Sequence, residues 1–234
     1  MIIETFDETN SNPWLMGATV IANLKAYLSD AQLRVWIHEF VEGMRDYKES
    51  DTSIILCPPV THLLLFREQL DENDLSFISL GAQDISVHEQ GAYTGEITGA
   101  MIQEAADYVL LGHSERRKFF GETQEAVQKK IDIAQHYGLL PIVLMEKPEK
   151  YEGTIFAVGY EPSNAIGSGQ PEPPLDAYTK MKTMIKHYPE TLTIYGGSVD
   201  EENSKAYLTH FNGVLVGTAS EDPQEFLAVI KASL

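Results

Sequence analysis

Residues Pro141-Ile-Val-Leu-Met-Glu-Lys-Pro-Glu-Lys-Tyr-Glu-Gly-Thr-Ile-Phe-Ala-Val-Gly159 carry two short apolar runs, Pro141–Met145 and Thr154–Gly159, with EKPEKYEG between them. Neither run alternates strictly, as is usual for strands covered on both faces. Pro148 and Gly153 punctuate the interval, and Tyr151 is its one large apolar residue. A parallel crossover usually takes at least about 10–12 residues. Eight extended residues still reach roughly 27 Å, enough to return along a short strand without a helix. The expectation is a connector with no helix over residues 146–153.

Working outward, six more runs have the same character: Thr19–Ala22, Ser53–Cys57, Phe77–Ala82, Tyr108–Gly112, Leu192–Gly196 and Gly213–Gly217. Helical patterns lie between them. Asp30–Lys48 places Leu33, Trp36, Ile37, Phe40, Val41 and Met44 on one stripe, and Glu122–Gln135 carries Ala126, Val127, Ile131 and Ala134. Pro174–His187 and Pro223–Leu234 open on proline, with Asp222 a candidate N-cap for the latter. Strand–helix alternation implies a parallel sheet, and eight units favour a closed barrel over the rival open sheet. The expected fold class is α/β: a single-domain (βα)8 barrel over residues 19–234, lacking the helix between strands 5 and 6. Residues 1–18 are expected to form an N-terminal extension.

The chain has 234 residues with 17 Lys and Arg against 35 Asp and Glu, a net charge of −18. Such acidity argues against nucleic acid and against anionic membranes, both of which need a basic surface. A small anionic substrate is compatible only with a local positive patch. Cys57 stands alone, so no intramolecular disulfide is expected, in keeping with a reducing cytoplasm. No apolar run approaches the roughly 20 residues of a membrane span. MIIETFDETNSNPW has no basic segment and no long apolar one, so no secretory leader is expected.

Two strand ends carry titratable groups. Tyr108-Val-Leu-Leu-Gly-His-Ser-Glu-Arg-Arg117 delivers His113 to the C-terminal end of a strand, the catalytic face of barrels. A helix starting just after it turns backbone N–H groups toward the imidazole, which favours the neutral ring. Val158-Gly-Tyr-Glu-Pro162 delivers Glu161 to the same face, where a partly desolvated carboxylate can act as a base. Taken singly, each is also compatible with an ordinary solvated strand end. Ala165-Ile-Gly-Ser-Gly169, Tyr195-Gly-Gly-Ser198 and Val216-Gly-Thr-Ala-Ser220 are Gly-containing turns after late strands, where barrels build phosphate sites. Asn23-Leu24-Lys25 ends the first strand and can supply the local positive charge.

The chain resembles the triosephosphate isomerase family from Thr19 to the C-terminus. The matching segments are Ala22-Asn-Leu-Lys25, Leu56-Cys-Pro-Pro59, Gly81-Ala-Gln83, Gly91-Ala-Tyr-Thr-Gly-Glu96, Gly112–Glu122, Tyr160-Glu-Pro162, Ala165–Gly169, Ile194–Val199 and Leu215-Val-Gly217. The resemblance implies a TIM barrel that interconverts dihydroxyacetone phosphate and glyceraldehyde 3-phosphate. It makes Glu161 the proton-abstracting base, and His113 the group that polarises the carbonyl and shuttles protons. Asn23 and Lys25 would stabilise the developing charge. Gly167, Ser198, Gly217 and Thr218 would hold the phosphate, with Glu115, Thr94 and Tyr195 supporting. Pro162–Glu172 would be the lid that excludes water. The resemblance implies no metal and no organic cofactor. It implies a homodimer through the loop Gly91–Glu96, with Thr94 reaching the neighbour's site.

The departures from the family pattern also carry expectations. The first lid hinge reads Pro162-Ser-Asn164, the second Gln170-Pro-Glu172, and Thr218 stands where the family has a second glycine. Thr218 is expected to be strained if the turn demands φ > 0. The altered hinges predict a lid that rests open and moves more at its first hinge. They also keep open an alternative reading, a catalytically impaired relative that binds anions or a protein.

Overall fold

The structure, a computed structural model, describes residues 17–45, 47 and 51–234. The expected extension over residues 1–18 lies almost wholly outside the described residues. So does the expected C-terminal end of the first helix at Lys48. The elements run β1 (Thr19–Asn23), α1 (Asp30–Met44), β2 (Ser53–Cys57), α2 (Leu63–Glu72), β3 (Ser79–Ala82) and α3 (Gly99–Ile102). They continue with β4 (Tyr108–Leu111), α4 (Ser114–Phe120), α5 (Gln124–His136), β5 (Leu140–Met145) and β6 (Ala157–Tyr160). The last are α6 (Pro174–Met184), β7 (Leu192–Tyr195), α7 (Ser204–Leu208), β8 (Gly213–Val216) and α8 (Pro223–Ala232). All eight strands are parallel and close in sequence order, with β8 returning to β1 through Thr19↔Gly213.

Parity along the strands separates two cores. Ile21, Ile55, Cys57, Leu110, Ile142, Leu144, Ala157, Leu192, Ile194 and Leu215 fill the barrel interior. Their neighbours Val20, Ala22, Ile54, Leu56, Val109, Leu111, Val143 and Val158 pack outward under the helices. Successive strand side chains point to opposite faces. A strand whose interior residues are 157 and 159 therefore aims residue 161 inward too, and one that places Ile21 inside also turns Asn23 inward. The same period that fills the core brings Glu161 and Asn23 to the barrel mouth.

The helices end where their caps direct. Ser29 and Gln32 form a capping box at the start of α1. The Asp222 carboxylate accepts from the Gln224 and Glu225 N–H groups at the start of α8. Gly121, at φ 65°, ends α4, and Thr123 then caps α5, so the segment after β4 is two helices rather than one. The expected helix Pro174–His187 closes as a 3₁₀ turn over Ile185–His187.

No helix lies between β5 and β6, as expected. Residues 146–156 run as an irregular connector, and the polar stripe of α5 holds it. Gln124 and Gln135 donate to the carbonyls of Lys150 and Thr154. Gln128 donates to the Glu152 carbonyl and accepts from the Glu152 N–H. On the other side the Tyr188 hydroxyl accepts from the Tyr151 N–H at 2.7 Å and donates to the Glu149 carbonyl. Tyr151, Ile155, Met181, Met184 and Tyr188 are buried in the same outer core as Val143, Met145, Val158 and Tyr160. β6 starts at Ala157 rather than at Thr154 because the earlier residues belong to this connector, the Thr154 carbonyl being taken by α5. Among the described residues no helix is long and apolar enough to cross a membrane.

Candidate active site

Gly112 makes the turn that presents His113. Its φ of +73° is open to glycine, and a Cβ there would come within 2.9 Å of the Leu144 carbonyl oxygen. Charged side chains hold both of its backbone polar groups. The Gly112 N–H donates to Glu122 Oε2 at 3.1 Å, and its carbonyl accepts from Arg117 Nε at 2.7 Å. Behind the turn Lys130 pairs with Asp84 at 2.6 Å and with Glu122, and Arg116 pairs with Asp84 at 2.8 Å. Burial raises the Asp84 carboxyl above its usual range, against the pull of Lys130 and Arg116. Arg117 continues outward to Glu149, at 3.2 and 2.8 Å, and to the Tyr151 hydroxyl at 3.1 Å. The turn is thereby tied to the β5–β6 connector.

His113 caps α4 with its own ring: Nδ1 accepts from the Glu115 N–H at 3.2 Å. That bond leaves Nδ1 as the acceptor and puts the proton on Nε2. His113 Nε2 lies 3.1 Å from Glu161 Oε1, and the other carboxylate oxygen accepts from the Ser114 N–H at 3.0 Å. Both side chains are nearly inaccessible, with residue exposures of 5% and 3%.

Lys25 approaches from the opposite rim. Its backbone is left-handed, at φ 51°, a conformation that costs roughly 1 kcal/mol or more for a residue with a Cβ. Asn23 Oδ1 accepts from the Lys25 N–H, and Gln83 Nε2 donates to the carbonyls of Lys25 and Cys57. The Lys25 ammonium pairs with Glu115 Oε1 at 2.7 Å and lies over the Gly217 backbone. Ser220 Oγ donates to the carbonyls of Asn23 and Gly217, bracing the first and last loops of the mouth against each other.

Asn23, Lys25, His113, Glu161, Gly167, Gly217 and Thr218 line one cavity of about 30 Å³ together with Ile166, Gly196 and Leu215. Ser198 stands beside it, at φ 52°, with its hydroxyl on lid backbone. Tyr195 binds the lid's far end, and Glu115 pairs with Lys25. Thr94 is exposed on the loop after β3, as are all residues from 88 to 96.

Two expectations about this rim are corrected. Thr218 is not strained: it opens a 3₁₀ turn, Thr218–Ser220, and does not have positive φ. Gly217 makes the bend instead, at φ −95° and ψ −96°. The lid does not rest open either. The Gly169 N–H donates to Ser198 Oγ at 3.2 Å, and Ser198 Oγ donates to the Ala165 carbonyl. The Glu172 N–H donates to the Tyr195 hydroxyl at 3.0 Å, and the Tyr207 hydroxyl donates to the Glu172 carbonyl. At the first hinge the Ser163 hydroxyl and N–H both reach Glu146 Oε1. The Ser198 hydroxyl satisfies lid backbone that an open lid would give to water, while the two tyrosine hydroxyls hold the second hinge itself. The motifs carry no sign of these tethers or of the Arg117 bridge, because each depends on partners distant in sequence.

A profile of the triosephosphate isomerase family matches residues 18–156 and 144–233, the two stretches overlapping on the connector. The chain is 34% identical to the triosephosphate isomerase of Aquifex aeolicus, covering 92% of this chain and 99% of the relative. It is 33% identical to that of Dictyoglomus thermophilum, covering 91% and 98%. It is 36% identical to that of Dehalococcoides mccartyi over a shorter stretch, covering 76% and 81%. With a closed eight-stranded barrel and a buried imidazole–carboxylate pair at its mouth, the chain belongs to the triosephosphate isomerase family.

Proposed function

We infer that this member of the family interconverts dihydroxyacetone phosphate and glyceraldehyde 3-phosphate with Glu161 as base and His113 as electrophile. The observation that carries the reading is the buried contact of 3.1 Å between His113 Nε2 and Glu161 Oε1, in a cavity that Lys25 also lines. Glu161 takes the proton from the carbon beside the carbonyl. The electron pair moves into the carbonyl, and negative charge grows on its oxygen. The Nε2–H of His113 donates to that oxygen, and the Lys25 ammonium and Asn23 amide stabilise it. His113 passes a proton between the two enediolate oxygens, and Glu161 returns its proton to the neighbouring carbon. No step draws on a metal or an organic cofactor.

Backbone N–H groups at Gly167, Ser198, Gly217 and Thr218 receive the phosphate. Lys25 supplies the positive charge that a chain of net charge −18 must concentrate locally. The cavity at the catalytic groups is small, about 30 Å³, and Ile166 and Gly167 of the lid form part of its wall, so in this reading the lid lifts to admit a triose phosphate. Its return excludes water around the enediolate.

The active unit in this reading is a homodimer, placed in the cytoplasm. The exposed loop Gly91–Glu96 is a segment without cover in the single chain. Beside the catalytic residues lies a cavity of about 630 Å³ lined by Asn23, Lys25, His113, Glu115, Arg116 and Phe120 and by Gly95 and Glu96 of this chain's own loop, and in this reading the loop of a second copy enters it. Sedimentation of the purified chain tests the dimer, and a monomer at micromolar concentration overturns it. A coupled assay of triose phosphate interconversion tests the reaction. Robust turnover in wild type that disappears in Glu161→Gln supports it. An inactive, folded wild type favours the impaired relative.

A further inference from the structure

The second lid hinge carries a carboxylate whose contacts lead back to the strand that bears the base. Glu172 Oε2 accepts from the Tyr160 hydroxyl at 2.8 Å, and Oε1 pairs with Lys180 Nζ of α6 at 2.5 Å. Its backbone N–H and carbonyl are held by Tyr195 and Tyr207, whose rings stack at 3.8 Å between centroids. The Glu172 side chain keeps 13% of its exposure, while Lys180 keeps 56% and also lies over the Tyr160 ring at 5.9 Å. Burial first, and the Glu172 carboxylate second, push the Tyr160 hydroxyl up to about 12, so it stays protonated as a donor. Tyr160 is the last residue of β6 and immediately precedes Glu161.

We propose that Glu172 is a lid-positioning residue: its carboxylate, gripped by Tyr160 and Lys180, fastens the closing end of the lid to the strand end that carries Glu161. Every polar atom of Glu172 has a partner, and those partners come from β6, α6, β7 and α7. The first hinge has one such tether, Ser163 on an exposed Glu146. The lid is therefore anchored at its second hinge and opens by swinging from its first. Proline at 171 adds to the asymmetry by fixing the backbone next to the clamp. The proposal rests on the isomerase reading only for the lid's purpose; the clamp itself is a property of the fold.

The test compares wild type with Glu172→Ala, Glu172→Gln and Lys180→Ala. Amide hydrogen exchange over residues 162–172 reads the clamp without reference to activity. Glu172→Ala should speed exchange there by about tenfold or more, given the usual worth of a hydrogen bond to a charged group. Glu172→Gln, which still accepts from Tyr160, and Lys180→Ala should each do so by less. Exchange in β5 and α8 should not change. In active enzyme, Glu172→Ala should also raise the inorganic phosphate released per isomerisation, because an ill-seated lid lets the enediolate expel its phosphate. Unchanged exchange over 162–172, or acceleration spread through the whole barrel, overturns the proposal. A wild type without turnover overturns the isomerase reading alone, since the exchange measurement still reports on the clamp.

Discussion

The mouth of the barrel and the β5–β6 crossing answer to different demands. At the mouth, chemistry dictates identity: a carboxylate, an imidazole and an ammonium must converge. Backbone strain at Lys25 and Ser198 is tolerated to hold that rim in place. At the crossing only coverage is demanded. The outward faces of Val143, Met145, Val158 and Tyr160 must be dry, and a tyrosine, an isoleucine and a ladder of glutamine side chains meet that need without a helix. An outer helix of this fold can therefore be replaced when its two tasks are reassigned. Here Tyr151 and Ile155 take the apolar contact, and the amides of α5 take the backbone groups. The two regions are still joined, because Arg117 touches Gly112 on one side and Glu149 and Tyr151 on the other.

Four substitutions test that contrast. Glu161→Gln should lower kcat by about 10²–10⁴, the usual worth of a general base, with little change in Tm because glutamine keeps the acceptor for Ser114. A variant that turns over at a wild-type rate would remove Glu161 from its role. Lys25→Ala should lower kcat/KM by about 10²–10³, as loss of one group facing a developing oxyanion commonly does. Steady-state kinetics and the affinity of a phosphorylated enediolate analogue both read it, and unchanged affinity would assign the charge to another cation. Arg117→Ala should show in both regions at once. Loss of a largely buried ion pair costs about 3–5 kcal/mol in denaturant unfolding, and a shifted Gly112 turn should cut kcat by at least about tenfold. If only one of the two changes, the regions are independent. Gln128→Ala should cost about 0.5–1.5 kcal/mol of stability and leave kcat alone, since its bonds serve only the connector. A fall in turnover there would make the crossing part of the catalytic apparatus.

Much of this was legible in the chain before any coordinates. The eight apolar runs, the helix missing between Met145 and Thr154, and the Gly112–Arg117 and Tyr160–Pro162 segments depend on local order. Hydrophobic period, punctuation by proline and glycine, and strand-end position act within a few residues. The errors have a common origin. Thr218 looked strained by analogy with glycine at its position, yet the bend belongs to Gly217. The first lid hinge looked loose because Ser163 and Asn164 replace apolar anchors, and the lid was expected to rest open for that reason. The actual anchors of the two hinges are Glu146, Tyr160, Lys180, Tyr195 and Tyr207, which sequence distance hides.

Local order in the chain sets the alternation of strands with helices, the bare crossing, and the histidine and glutamate that end strands on the catalytic face. Each follows from residues near one another in the chain. The tautomer of His113 is local as well, since a backbone N–H two residues on occupies Nδ1 once α4 has formed; left to the tertiary structure is that Nε2 then faces Glu161 Oε1 at 3.1 Å. Only the tertiary structure decided that the lid lies down and that Arg117 links the mouth to the crossing. A hydrogen bond between residues 12 to 47 positions apart exists only after the barrel has closed and brought its strand ends into one ring.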